Sequence, residues 1–267
     1  MKRLIRSTIF ASLCACGFAL SAVPLHASAA NPQTLAFGVD PTFPPFESKT
    51  PDGSLVGFDI DLGNAICAQM NVHCVWVEQS FDGIIPALKA RKFDAILSAM
   101  TATPARREQV DFTQKLYGGS ARLVAPAGST LQPTAESLRG HRIGVQQGAV
   151  QETYARAEWA PKGVTIVSYQ SPDQIYEDLS TGRLDASFQA SIQAELSFLR
   201  TPRGKPFAFA GAEVKDPRAT GEGIAIGARK GDAQLIAKIN QAFETIRKNG
   251  TYDKLEHKYF NFDIYGE

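Results

Sequence analysis

From residue 35 onward, short β-branched and aromatic runs alternate with longer stretches in which apolar residues recur every three or four positions. Residues 35–39 read as a strand, 59–70 as an amphipathic helix, 74–78 as a strand, 82–91 as a helix and 93–97 as a strand. A second set repeats the order, with strand 142–145, helix 149–159, strand 164–169, helix 172–181 and strand 184–189. Strands separated by helix-length segments favour parallel pairing, so each set predicts a mostly parallel sheet flanked by helices, an α/β class. Residues 117–126 and 221–227 read as two extended segments that cross between the sets, which makes the second set an insertion into the first. Helix 234–249, ended by Gly250, and the segment 252–259 are expected to pack back on the first lobe. The result is a two-lobed molecule joined by two crossing strands, with a cleft between the lobes suited to a small ligand.

The N-terminus follows a different pattern. Lys2, Arg3 and Arg6 precede an apolar run from Ile9 to Val23, which ends in Ala27-Ser28-Ala29. A basic start, a short apolar centre and a small-x-small site make residues 1–29 a secretory signal peptide, and predict an exported mature protein of roughly 240 residues. The alternative, lipidation at Cys16 within Leu13-Cys14-Ala15-Cys16, competes with the small-residue site downstream, which is preferred. Loss of the leader leaves Cys67 and Cys74, and two neighbouring cysteines in an oxidising compartment most simply pair. The histidines are scattered, so no metal site and no cofactor is expected. The 28 Lys and Arg are interspersed with 27 Asp and Glu for a net charge of +1, and no basic block marks a nucleic-acid surface.

Candidate chemistry concentrates in Ser98-Ala-Met-Thr-Ala-Thr-Pro-Ala-Arg106, just past the strand 93–97. A guanidinium there offers planar, bidentate donors, and Ser98, Thr101, Thr103 and free backbone N–H groups would complete a carboxylate pocket. The plainer alternative is a solvated arginine at a helix start. Asp59 and Asp61 open the first helix, where they suit the positive end of its dipole and read as structural. Glu78 with Asp82, and Asp178 with Asp185, read as surface or helix-end charges, and no catalytic set is apparent.

Seven motifs in order resemble the polar amino-acid binding proteins of extracellular solute-binding family 3, the periplasmic subunits of ABC importers. They are Gly57-Phe-Asp-Ile-Asp-Leu62, Asp82-Gly-Ile-Ile-Pro-Ala-Leu-Lys89, Phe93-Asp-Ala-Ile-Leu97, Thr103-Pro-Ala-Arg106, Gly144-Val-Gln-Gln-Gly148, Asp178-Leu-Ser-Thr-Gly-Arg-Leu-Asp185 and Phe262-Asp-Ile-Tyr-Gly266. The likeness is greatest to the histidine and lysine/arginine/ornithine binding members and spans the mature chain. It implies a type II periplasmic binding protein fold, with lobe 1 formed by residues 30–118 and 223–267 and lobe 2 by residues 119–222. It further implies a periplasmic protein, expected to be monomeric, that delivers a carboxylate-bearing small molecule to an inner-membrane permease by hinge closure.

Carried over by position, the resemblance puts the ligand carboxylate on Arg106, Thr101 and the backbone of Val150. Aromatic contacts fall on Phe43 and Phe81, a basic ligand tail on Asp40, and further polar contacts on Ser98 and Gln151. Cys67 and Cys74 match the disulfide of the histidine-type members. Without the resemblance, Phe43 and Phe81 would read as core and Asp40, before Pro41, as a turn former. The aspartate that takes the α-ammonium in the family is Ala190 here, and a second contact to that group falls at Ala99. A buried ammonium without a carboxylate would cost several kcal/mol, so the sequence points to an N-substituted ligand such as an opine, with Ser191 giving a neutral hydrogen bond, or to a guanidino acid. Glu195, further along the following helix, is the least favoured substitute acid. The rival functions are a cyclohexadienyl dehydratase-like enzyme on the same fold and a ligand-sensing module.

Overall fold

The computed structural model describes residues 33–266, so the expected signal peptide, Cys16 included, lies outside the described residues. Two five-stranded sheets organise the chain. In the first, the order is His73–Glu78, Thr34–Val39, Ala95–Ile96, Gly227–Arg229, Val110–Phe112. In the second it is Thr165–Tyr169, Arg142–Gln146, Ala186–Ala190, Ala121–Pro126, Phe207–Val214. The first three strands of each sheet are parallel, and the fourth, which arrives from the other half of the chain, is antiparallel to both neighbours. The sequence pattern anticipates this repeat because the parallel strands are covered on both faces and read as short apolar runs. Phe37, Val39, Ile96, Ile143 and Val145 are fully buried.

The helix Phe58–Gln69 turns Phe58, Leu62 and Ile66 onto the first sheet. Gly57 precedes it at φ 136°, where a Cβ would strike the Phe46 carbonyl. The first N–H groups of this helix bond to loop carbonyls, Phe58 N to Pro45 O at 3.0 Å and Asp59 N to Phe46 O at 2.9 Å. Helix ends need such partners, and these ones hold the segment after Pro45 against the helix. Ala233–Lys248 and Thr251–Tyr259 complete this core with Ile239, Phe243, Ile246 and Tyr252, as expected. In the second half, Trp159 and Phe188 pack at 4.8 Å between ring centres, and Tyr176 stacks on Phe198 at 4.2 Å. The Cys67–Cys74 disulfide ties the helix Phe58–Gln69 to the edge strand His73–Glu78.

Three features differ from the pattern reading. The segment expected as a crossing strand over 221–227 is regular only in Gly227–Arg229; before that it is held by single bridges from Ile224 to Thr101 and Tyr117. Phe207–Val214 is an eight-residue edge strand that small residues and Gly211 concealed. Thr42–Phe43, Glu47–Lys49 and Leu55–Val56 form a small antiparallel sheet too short to leave a period.

Candidate functional site

The carboxyl ends of the parallel strands in both sheets border one pocket, the usual ligand position in an open α/β sheet. Eleven of the residues assigned to the ligand site line it: Asp40, Phe43, Phe81, Ser98, Ala99 and Thr101 with Arg106 from one half, and Val150, Gln151, Ala190 and Ser191 from the other, whereas Thr103, expected in the carboxylate pocket, caps a helix outside it.

Arg106 is positioned by the local sequence. Pro104 sets the first turn of the short helix Pro104–Arg107, and the Thr103 hydroxyl caps it by accepting from Arg106 N at 3.2 Å. The guanidinium donates from Nη1 to the Thr101 carbonyl at 2.8 Å and from Nη2 to the Gly148 carbonyl at 2.9 Å. It also stands 5.3 Å from the centre of the Phe81 ring. Two of its five N–H donors are thereby used and the rest remain for a ligand. Burial brings its pKa down to about 10, which leaves it charged at neutral pH. Gly148 sits at φ 77°, and a Cβ there would come within 2.7 Å of the Asp82 Cα, so this close approach of the two halves requires glycine. The helix Val150–Glu158 starts just beyond, and its first N–H groups have no intrahelical acceptor.

Asp40 and Ser98 staple the first wall. Asp40 N donates to Ser98 Oγ at 2.9 Å, while the Asp40 carboxylate accepts from Thr42 Oγ1 at 2.8 Å and Phe81 N at 3.0 Å. Burial raises the Asp40 pKa despite these bonds. Phe43 is partly buried and stacks on Phe46, which stacks in turn on Tyr117 at 5.1 Å. On the second wall, the Ser191 and Ser120 hydroxyls hydrogen-bond each other, and Ala190 ends its strand without a carboxylate. Gln146 and Gln189 line the same wall as buried neutral amides.

Two corrections concern acids. Asp59, read as a structural acid at the helix start, is structural for a reason the helix dipole does not supply: it is fully buried, accepting from Ala99 N at 2.8 Å and from Tyr117 Oη at 2.8 Å. Burial pushes its pKa up to about 6. The bond to Asp59 holds Ala99 at φ 44°, a left-handed conformation uncommon for a residue with a Cβ. Asp61, by contrast, pairs at the surface with Lys258 at 2.6 Å, as a helix-start acid should. The second correction is Glu47, which the sequence reading passed over. It is 1% exposed, lines the pocket and accepts the Ser98 hydroxyl at 3.0 Å. The pocket therefore holds an acid besides Asp40, which the reading from Ala190 did not count. No sequence signal marks Glu47, because the short strand that carries it is defined by packing on the first helix. The remaining acids behave as expected: Glu78 pairs with Lys49 and Asp178 with Arg183, outside the pocket.

Comparison with known proteins agrees with this geometry. Residues 35–262 match the bacterial extracellular solute-binding proteins, family 3. The lysine/arginine/ornithine-binding periplasmic protein of Escherichia coli K12 is 49% identical over 239 residues, covering 90% of this chain and 92% of that one. The histidine-binding periplasmic protein of the same strain is 50% identical over 240 residues, with the same coverage. Among solved structures, an ancestral arginine-binding protein bound to arginine superposes with a TM-score of 0.79 at 34% identity, covering 86% of this chain and all of that one. The two repeated sheets are those of a type II periplasmic binding protein, and the chain belongs to the bacterial extracellular solute-binding proteins, family 3.

Proposed function

We propose that this chain is the periplasmic substrate-binding subunit of an ABC-type importer, and that it captures a basic or polar amino acid between two closing lobes. The observation that carries the reading is Arg106, held by carbonyls of both halves beside Phe81 and the start of helix Val150–Glu158. A guanidinium flanked by unpaired helix N–H groups is a receptor for a carboxylate. Phe43 and Phe81 offer ring faces to a planar cationic side chain, and Asp40 offers it a countercharge. Relatives named for lysine, arginine, ornithine and histidine support a basic ligand over an opine.

Lobe 1, expected over residues 30–118 and 223–267, is described over 33–118 and 223–266, and lobe 2 comprises residues 119–222. The two segments paired between Tyr117 and Ile224 bend as the ligand enters. Closure brings Val150, Gln151, Ala190 and Ser191 onto a ligand already seated on Arg106, and presents the closed form to the permease. The protein acts as a monomer and binds its ligand without transforming it. A thermal-shift screen of basic amino acids, their N-substituted derivatives and guanidino acids tests the reading, since a true ligand raises the melting temperature by mass action. A shift with arginine, lysine, ornithine or histidine is expected. Phenylpyruvate formation from a prephenate-like acid, with no shift by any amino acid, would replace binding by the dehydratase reading.

A further inference from the structure

Two acids of the first wall lie closer together than two carboxylates tolerate. Glu47, in the strand Glu47–Lys49, and Asp59, in the first turn of the helix Phe58–Gln69, are 1% and 0% exposed. Their carboxyls come within hydrogen-bond reach of each other, and Glu47 Oε2 has no donor from any other group among the described residues. Two buried carboxyls in contact repel when both are ionised and attract when one of them carries a proton.

The bonds around the pair tell which one carries it. Asp59 accepts from Ala99 N and from Tyr117 Oη, both at 2.8 Å, as suits a carboxylate. Glu47 accepts from Ser98 Oγ at 3.0 Å through Oε1, which leaves its second oxygen to serve as an O–H donor. Burial and the neighbouring acids hold the Glu47 proton well above the ordinary carboxyl range, while Asp59 titrates at about 6. Asp40 faces the pair from the loop after the first strand, Tyr117 from the crossing segment, and Tyr252 from the helix Thr251–Tyr259. The rings of Phe46 and Phe58 close around Tyr117, and Arg106, the cation of the same pocket, is bonded to the Thr101 and Gly148 carbonyls.

With the proton in place the contacts form one chain. Asp40 N donates to Ser98 Oγ, Ser98 to Glu47 and Glu47 to Asp59, which holds Ala99 N and the Tyr117 hydroxyl. One end of the chain is the pocket wall. The other is the crossing segment, where the Tyr117 carbonyl accepts from Ile224 N at 2.9 Å. Resting on the capture reading, we infer that Glu47 and Asp59 are a positioning pair that shares one proton, fixes Ser98 and Ala99 for the ligand, and ties them to the segment that bends on closure. The pair acts through Ser98 and Ala99 rather than by contact with the ligand. Glu47 serves as a neutral donor, a role that glutamine can fill and an ionised acid cannot.

Calorimetric titration with L-arginine at pH 7 tests the pair. Glu47→Ala, which takes a partner from both Ser98 and Asp59, should weaken binding about tenfold or more, and Glu47→Gln, whose amide can donate to Asp59 and accept from Ser98, should bind within about threefold of wild type. The infrared spectrum of the wild-type protein at pH 7 should show a protonated carboxyl band that persists when arginine binds and that Glu47→Gln lacks. A band that is missing from the wild type, or that Glu47→Gln retains, would overturn the shared proton whether or not Glu47→Ala folds. Wild-type affinity in a folded Glu47→Ala, or a folded Glu47→Gln as weak as Glu47→Ala, would overturn the positioning role and leave amino-acid capture intact. Failure of arginine, lysine, ornithine and histidine alike to bind the wild-type protein would overturn the capture reading instead, with the carboxyl band still reporting the pair.

Discussion

The two walls of the pocket are built from the same topology and differ in chemistry. The first carries Asp40, Glu47 and Arg106, with Asp59 behind, each fixed by bonds to neighbouring loops. The second offers amides, small side chains and the start of a helix, and its only side-chain hydroxyl pair, Ser120 with Ser191, is satisfied internally. A wall whose charges are already held in place loses little entropy when a ligand arrives, so recognition of charge belongs there. The second wall carries no charged side chain of its own into the pocket, so its approach takes none of its own charges out of water. Recognition and closure are thus divided between the halves, and each can be disturbed separately.

The largest effect should come from the first wall. Arg106→Ala removes the carboxylate partner, and a buried ligand carboxylate left unpaired costs about 3–5 kcal/mol. Calorimetry should detect no binding, while the melting temperature of the ligand-free protein should stay nearly unchanged because the side chain bonds only to two loop carbonyls. Undiminished affinity would move the carboxylate site elsewhere.

Next in size is a change to the closing wall. Gly148→Ala sets a Cβ against the Asp82 backbone at a left-handed φ, a combination expected to cost the closed form about 1–3 kcal/mol. Small-angle scattering with saturating ligand should report a larger radius than wild type, and the affinity should fall with the ligand preference unchanged. A shift in preference would mean that the second wall also selects.

A pH dependence sharpens the comparison further. Asp59 and Glu47 hold their protons more tightly folded than unfolded. Their contribution to stability is present below about pH 4, is lost as pH rises through about 6 for Asp59, and falls further at higher pH for Glu47. The ligand-free protein should therefore melt at a lower temperature at pH 8 than at pH 5, and Glu47→Gln should flatten the upper part of that decline. A decline that Glu47→Gln leaves unaltered would detach Glu47 from the buried acid pair. The smallest effect is expected at Ala99, where glycine relieves the left-handed strain. Ala99→Gly should raise stability by up to about 1 kcal/mol in denaturant titration and leave binding within a factor of two or three. Destabilisation would show that the Ala99 methyl group packs productively.

Most of the pocket was legible in the sequence, for a physical reason. Ser98, Thr101 and Arg106 follow a strand that announces itself as an apolar run, whereas Asp40 and Ala190 were placed by the family resemblance, and the topology delivers all five to one cleft. Glu47 and Asp59 escaped because their significance lies in each other. One sits in a three-residue strand and the other at a helix start that usually faces water. Only the bonds from Phe58 and Asp59 back to Pro45 and Phe46 bring them together. The edge strand Phe207–Val214 was hidden for another reason: its alternation of Phe with Ala and Gly is weak, and its register to the neighbouring strand is broken after Ala210.

The most direct test of the division between a gripping wall and a closing wall is a crystal structure with L-arginine bound. The account predicts the ligand carboxylate on the Arg106 guanidinium and the N–H groups of Val150 and Gln151, with the ligand's cationic groups against the acids of the first wall. A carboxylate placed away from Arg106, or a ligand cation held only by the second wall, would contradict it.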